Sequence, residues 1–186
     1  MKIFILISLL IIINSSLLPA YAQNVPNEER LIKDVFVKAL KVTPEMINSL
    51  AIKTVFSVSL YNVKWSLTPP GTGMKSSSNS IVFVKNNKVD SVEGDHTGIK
   101  MPRLQGIIRD NFKIDSLSNA KIFEEVLDIL YPPSSISIDD KSVKNIKHEN
   151  NKWIFTRGRF FRDFTGFVVL TDDKGNIQEI QYSLHL

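Results

Sequence analysis

The apolar residues of this chain take a helical spacing in two separate blocks, and each block is followed by a region in which they alternate. Helical spacing places apolar side chains on one stripe of a helix, whereas alternation places them on one face of a strand. This succession constrains the fold more than any other feature, because it sets both the kind and the order of the elements. It predicts helices followed by strands, twice.

The first helical block begins after Pro26 and Asn27. Its apolar residues lie three and four apart, at Leu31, Ile32, Val35, Phe36, Ala39 and Leu40. Thr43-Pro44-Glu45 then has the order of an N-cap residue, a proline in the first turn and an acid. This order predicts a second, short helix that ends near Leu50.

A long alternating region follows. Bulky residues occupy every second position from Ile52 to Leu60, and from Tyr61 to Leu67 they occupy the other parity. A change of parity inside an extended run is typical of a β-bulge or a sharp bend. We therefore expect one long, bent strand over residues 52–67.

Residues 68–80 are rich in proline, glycine and serine and nearly free of apolar side chains, which predicts a flexible loop. Two readings are open for this loop, a partner-contact segment and a plain connector. Two short alternating runs follow at residues 81–85 and 89–93. The polar residues Asn86-Asn87-Lys88 between them predict a β-hairpin.

The second helical block follows Pro102, and its first apolar stripe contains Leu104, Ile107, Ile108 and Phe112. Either Asp115 or Ser116 can cap the next helix, which the pair Pro132-Pro133 ends. The remainder alternates, and we expect strands at residues 142–148, 153–161, 167–171 and 177–184. Polar turns join them at Glu149-Asn150-Asn151-Lys152 and at Asp173-Lys174-Gly175-Asn176, where the glycine can take a positive φ.

These elements predict an α+β fold in which helices pack on one face of a curved antiparallel sheet. We expect residues 23–186 to form a single domain. The order ααβββ followed by ααββββ leaves open a loose duplication, with halves at residues 23–101 and 102–186. The order resembles that of cystatin-like and NTF2-like folds, and the doubling resembles that of tandem-repeat inhibitory proteins. Both resemblances concern the order of elements alone.

The first 22 residues have the three parts of a secretory signal peptide. Lys2 supplies the positive tip, an apolar run follows from Ile3 to Ile13, and Ala20-Tyr21-Ala22 is a small-x-small cleavage site. The apolar run is about half as long as a membrane-spanning helix requires, which favours removal over a retained anchor. We expect a mature protein that begins at Gln23, lies in the periplasm or outside the cell, and keeps no membrane span.

The chain has no cysteine. This excludes disulfides, thiol nucleophiles, cysteine-ligated metals and lipid attachment through a cysteine. No motif indicates a cofactor or a metal ion, and we expect none. The net charge of +4 is too small to identify a partner, and an exported protein is not expected to bind nucleic acid.

The strongest fragment for catalysis is Asp95-His96, which lies between two glycines. Neighbouring side chains point apart in extended backbone, and no nucleophile accompanies the pair, so a polar turn is the preferred interpretation. The paired acids Asp139-Asp140 and Asp172-Asp173 lack the alternating ligands of a calcium loop. Common hydrolase, metalloprotease and nucleotide-binding motifs are also missing. No catalytic or metal-binding residue is therefore predicted.

The candidate binding residues lie in a segment that interleaves aromatic rings with arginines. On a strand, one face of this segment carries Trp153, Phe155, Arg157, Arg159 and Phe161. Arginine and aromatic side chains are frequent interface anchors, and Gly158 can mark a bend that opens the sheet. The alternative is that the rings fill the core while the arginines lie in solvent.

Together these features favour an exported, non-catalytic binding protein that holds a protein partner through a sheet face and a flexible loop. An NTF2-like protein with a small-ligand pocket between helices and a curved sheet is the alternative. An enzyme of unknown class is third, because the sequence offers few catalytic groups.

Overall fold

The structure is a computed structural model that describes residues 25–68, 75–92, 100–132, 143–158 and 165–183. Within these ranges the protein is α+β, as predicted, with two antiparallel four-stranded sheets and a few helices. The predicted signal segment, residues 1–22, lies outside the described residues. No helix in the described ranges is long and apolar enough to cross a membrane.

The first sheet consists of four strands in sequence order, and all neighbours are antiparallel. A helix precedes its first strand, and another lies between its first and second strands. The elements are α1 (Val25–Val35), β1 (Lys41–Met46), α2 (Leu50–Val55), β2 (Leu60–Leu67), β3 (Ser76–Lys85) and β4 (Lys88–Ser91).

The second sheet is also a four-stranded antiparallel meander in sequence order. Two helices precede it. The elements are α3 (Pro102–Gln105), α4 (Leu117–Leu130), β5 (Val143–Glu149), β6 (Lys152–Gly158), β7 (Thr165–Thr171) and β8 (Ile177–Ser183). The described residues thus form two four-stranded meanders where the sequence predicted one curved sheet.

The short helix predicted to begin at Thr43-Pro44-Glu45 is wrong, because these residues lie in β1. β1 is the edge strand of the first sheet and pairs on one side with β2, so that Pro44 lies opposite Val63. A proline is tolerated on an edge strand because its missing N–H removes no hydrogen bond from the sheet interior. The pairing with β2 is remote in sequence and overrides the local helix-start signal.

The long bent strand predicted over residues 52–67 is also wrong in its first part, which forms α2. Ala51, Ile52 and Val55 are buried on one side of this helix and belong to the main core cluster, where α2 packs against α4. Over so short a segment, apolar residues that alternate can also fall on one side of a helix, so the pattern does not distinguish a strand from a helix. The change of parity near Tyr61 marks the passage from helix to strand, because β2 begins at Leu60.

The loop predicted for residues 68–80 is wrong for residues 76–80, which form the first half of β3. They pair with residues 63–67 of β2. Backbone hydrogen bonds to β2 stabilise this segment as a strand although it has no apolar alternation. Residues 69–74 of the predicted loop lie outside the described residues.

Several local predictions are confirmed. Asn86 and Asn87 form a two-residue turn between β3 and β4, with φ angles of 52° and 58°. Both values are typical of a type I′ turn, which suits the right-handed twist of a hairpin. Gly175 has a φ of 78° in the turn before β8. Ser116 is the N-cap of α4, and its side chain accepts a hydrogen bond from the N–H of Asn119 at 3.3 Å.

The main core joins the two sheets to α2 and α4. It includes Leu60 and Phe83 from the first sheet, and Phe155 and Ile180 from the second. A smaller cluster lies on the opposite face of the first sheet, where α1 packs on it. This cluster consists of Ile32, Tyr61, Val63 and Val82, with partly buried Phe36, Val42, Trp65, Val84 and Val89 around them. Helices therefore cover both faces of the first sheet over part of its length.

Candidate binding surface on the first sheet

Trp153 and Phe155, the first two residues of the predicted arginine–aromatic face, lie in the main core. The Trp153 side chain is 5 % exposed and Phe155 is 0 % exposed. The Phe155 ring packs 5.5 Å from that of Phe123 on α4, and the Trp153 ring stacks 4.1 Å from that of His148. These contacts match the alternative in which the rings of this strand fill the core.

The other members of the predicted face are Arg157, Arg159 and Phe161. Arg157 lies in β6, where its backbone is paired with that of Thr165 on β7. Arg159 and Phe161 lie outside the described residues. Their part in binding therefore stays a prediction.

The residues considered for catalysis are not gathered into a site within the described ranges. Asp95, His96, Asp139 and Asp140 lie outside those ranges. No group of three potential metal ligands occurs in the part of the chain that is described. Asp172 closes the turn before β8, where it accepts hydrogen bonds from the side chain and the N–H of Asn176 at 2.7 and 2.9 Å. These bonds from Asn176 lower the pKa of Asp172.

A polar cavity lies on one face of the first sheet, where β1, β2 and β3 lie side by side. Its volume is about 540 Å³. The pairing places Lys41 next to Ser66 and Ser66 next to Ser77, and one step further it aligns Thr43, Lys64 and Asn79. The lining residues are Lys41, Thr43, Glu45, Lys64, Trp65, Ser66, Ser77, Ser78 and Asn79.

The same sheet face is apolar further along. There Leu60 and Phe83 are paired and buried in the main core, and Ile81 packs against them. Every second residue of a strand shares a face, so one face changes from core to polar surface along β2 and β3. We call this end of the first sheet, with both of its faces, the serine end; it is formed by residues 41–45, 64–67 and 76–80.

The charged groups of the serine end carry a surplus of positive charge. Nζ of Lys64 lies 3.2 Å from Oε2 of Glu45, and both side chains are about half exposed. Such a pair contributes little to stability because water screens it. Lys41 is exposed beside them, and Lys38 lies close by on the other face. An acidic ligand group would find a favourable potential here.

An apolar groove of about 270 Å³ lies on the opposite face of the serine end. It is lined by Val35, Phe36, Val37, Lys38, Ala39, Trp65 and Leu67. Val35 is 59 % exposed and Val37 is 78 % exposed, and the nearby Leu40 is 62 % exposed. Apolar residues grouped in this way on a surface are typical of an interaction site.

Trp65 lines both cavities and holds a fixed position between them. Its Nε1 donates a hydrogen bond to Oγ of Ser80 on β3 at 3.2 Å. Its ring lies 6.0 Å from that of Phe36, just beyond α1. A partly buried tryptophan with an apolar body and a satisfied N–H is a frequent anchor of protein interfaces.

Sequence reasoning missed this surface for identifiable reasons. Residues 76–80 have loop composition, and Val35 and Leu40 fit the stripe of an amphipathic helix. In the structure α1 ends at Val35, and Val37 and Leu40 after it are exposed. Val37, which is off the helical stripe and adjacent to Lys38, was the available signal.

No family model, curated protein or solved structure matches this chain. A functional assignment therefore depends on the geometry of the surfaces above.

Proposed function

We propose that this protein is an exported, non-catalytic binding protein that holds a protein partner at the serine end of the first sheet. The observation that carries the proposal is the placement of Trp65 between a polar, cationic cavity and an exposed apolar groove. An aromatic anchor with apolar surface on one side and hydrogen-bonding groups on the other has the anatomy of a protein interface.

The two cavities supply complementary contacts. The groove beside Val35 and Val37 can bury apolar side chains of a partner, which is the main source of association free energy. The cavity around Lys41 and Lys64 offers ammonium groups, hydroxyls and an amide beside the single carboxylate of Glu45, and this surplus of positive charge favours an acidic partner over a basic one.

Export is the second component of the proposal. It is supported by the apolar run near the amino terminus and by Ala20-Tyr21-Ala22. Intact mass of the protein from its native host tests it. We expect a chain that begins at Gln23, and a chain that retains Met1 would refute export by signal cleavage.

A small-ligand protein is the second candidate function, and the volume of the polar cavity favours it. A cavity of about 540 Å³ falls within the usual range for small-molecule sites. Its hydroxyl and ammonium groups suit a polar anion better than an apolar ligand. Calorimetry with small dicarboxylates and phosphates distinguishes this candidate from a partner-binding protein, which would show no saturable heat with either.

The proposed function is tested by capture from host extract with immobilised protein. The decisive variant combines Lys41→Glu with Lys64→Glu, and Lys121→Glu on α4 is the exposed control. The double variant should lose the partner that wild type and control retain, with melting temperatures close to one another because exposed charges contribute little to stability. Equal capture by all three proteins would exclude the serine end as the binding surface.

A further inference from the structure

Among the described residues, strand β3 has an edge without a neighbouring strand over half of its length. On one side it pairs with β2 over all of Ser76–Lys85. On the other side β4 reaches only residues 82–85, and the N–H of Val92 extends this contact to the carbonyl of Ile81. Beside residues 76–80, no strand of the described chain lies on that side.

The direction in which the backbone groups point at this edge follows from the hydrogen bond of Ile81. Its carbonyl faces β4, because it accepts the bond from Val92 at 3.0 Å. Residues two apart in a strand direct their backbone groups to the same side. The N–H and C=O groups of Ser77 and Asn79 therefore face the open edge, and in the described ranges neither residue has a partner there. The groups of Ser78 and Ser80 face β2.

The open edge lacks the features that protect two other strand edges of the described sheets, those of β1 and β5. β1 carries Pro44, and β5 carries Lys144 and Lys147, and both prolines and lysines discourage pairing with another chain. Residues 76–80 are four serines and one asparagine, without proline or charge. Small, uncharged side chains allow another backbone to approach this edge closely.

We propose that the open edge of β3 accepts an extended segment of a partner protein as an additional strand, and that this segment alternates acidic with apolar residues. The proposal rests on the function proposed above and specifies how the partner is held. Main-chain hydrogen bonds to Ser77 and Asn79 would supply the pairing, and side chains on the two faces would supply the selectivity.

The alternation follows from the two faces of the serine end. On the face of Ser77 and Asn79 the neighbouring strand presents Lys64, whose charge is partly neutralised by Glu45 on β1, and the surplus positive charge of this face favours acidic residues on that side of the added strand. On the face of Ser78 and Ser80 lies the indole of Trp65, bonded to Ser80, which favours apolar residues. Lys75 directly before β3 adds another positive charge.

A second copy of this chain is a less suitable occupant. Pairing of two β3 edges would place Lys64 and Lys75 of both copies around one small interface, where like charges repel. An acidic segment of a different protein brings the opposite charge to the same positions.

The experiment measures the fluorescence anisotropy of a short labelled peptide with alternating glutamate and valine. The variant Asn79→Pro removes the outward N–H and leaves the bonds from β3 to β2 intact. Asn79→Ala is the matched control, because it removes the side chain and keeps the N–H. We expect Asn79→Pro to weaken peptide binding by about tenfold or more, since it removes a hydrogen bond and obstructs the edge. Asn79→Ala loses the same side-chain amide from the polar cavity as Asn79→Pro does, so the comparison isolates the N–H, and Asn79→Pro should bind about tenfold more weakly than Asn79→Ala.

A second measurement on wild-type protein does not depend on the folding of a variant. A peptide of the same sequence, N-methylated at alternate residues along one edge, cannot pair through that edge and should bind about tenfold more weakly than the unmodified peptide. A peptide with lysine in place of glutamate should be similarly weakened.

The proposal is overturned if Asn79→Pro and the methylated peptide bind as tightly as their controls. It is also overturned if hydrogen exchange finds the amides of Ser77 and Asn79 already protected in the isolated monomer, or if the edge forms a dimer. Such results leave the proposed function standing as long as the lysine double variant still loses its captured partner. Normal capture by that double variant would refute the proposed function, whatever the peptides do.

Discussion

The hydroxyl of Tyr61 on β2 donates a hydrogen bond to Oε2 of Glu28 on α1 at 2.7 Å. This bond joins the first helix to the face of the first sheet that it covers. Tyr61 is fully buried in the smaller cluster together with Ile32 of the same helix. The position of α1, and with it the groove beside Phe36 and Trp65, therefore depends on packing at Tyr61.

We predict that Tyr61→Phe lowers the free energy of unfolding by about 1–2 kcal/mol, because it removes a hydrogen bond to a carboxylate and keeps the ring in place. Urea unfolding at neutral pH measures this difference. Glu28→Gln is the control, since the amide oxygen can still accept the bond. A loss as large in Glu28→Gln would show that charge, and not the bond itself, stabilises the contact.

The same contact predicts that the free energy of unfolding depends on pH in the alkaline range. Burial, and then the hydrogen bond to Glu28, raise the pKa of Tyr61 well above its ordinary value. A raised pKa in the folded state means that the stabilisation is complete below about pH 10, the ordinary tyrosine pKa, and is lost as pH rises through the raised value. Wild type should therefore lose more stability than Tyr61→Phe between about pH 10 and pH 12. Parallel losses in the two proteins would contradict this prediction.

The burial of β6 predicts that Phe155→Ala costs about 3–5 kcal/mol of unfolding free energy, because it leaves a cavity among rings of the main core. Ile154→Ala, one residue away on the opposite face of the strand and only partly buried, should cost clearly less. Chemical unfolding of both variants provides the comparison. Similar costs would mean that the two faces of β6 are equally buried.

The turn before β8 predicts that alanine is poorly tolerated at Gly175. A Cβ atom there would lie 2.8 Å from Cβ of Asp115, and the φ of 78° strains any residue with a side chain. Gly175→Ala should lower the unfolding free energy by about 1–3 kcal/mol. Asn150→Gly is the control, at a residue with a φ of 52°. Its stability should change by less than about 0.5 kcal/mol, because relief of strain is offset by the entropy of glycine in the unfolded chain.

The hydrogen bonds of Asp172 in the same turn predict that the stability of the protein depends on pH in the acidic range. Hydrogen bonds from Asn176 lower its pKa, so its contribution to stability is present above the ordinary aspartate pKa of about 4 and is lost as pH falls through the lowered value. Asp172→Asn should be less stable than wild type at pH 7, and the difference should shrink towards pH 2. Thermal melts at several pH values test this prediction. A difference independent of pH would assign the effect to geometry alone.

The sequence by itself determined several turns of this protein and narrowed the cap of α4 to two residues. The hairpin at Asn86-Asn87 and the positive φ of Gly175 depend on one residue and its immediate neighbours, and both were predicted. Ser116 was one of the two caps predicted for α4. The antiparallel α+β class was predictable for a similar reason, because the periods of the apolar residues are local properties.

Only the tertiary structure decided the elements whose local signals were ambiguous. The residue types of Thr43-Pro44-Glu45 favour the start of a helix, but these residues form a strand because they pair with β2. Residues 52–55 alternate and yet belong to a helix, because one side of that helix is buried against α4.

The serine end shows most clearly that contacts with distant segments decide the local structure. Residues 76–80 have no apolar pattern, and they are extended because β2 supplies partners for their backbone. Trp153 and Phe155 could have served a surface or a core, and both are buried in the main core, where Phe123 of α4 packs against Phe155. In each case the free energy of a contact between distant segments exceeds the small local preference, and a local pattern carries no information about which distant segment will be present.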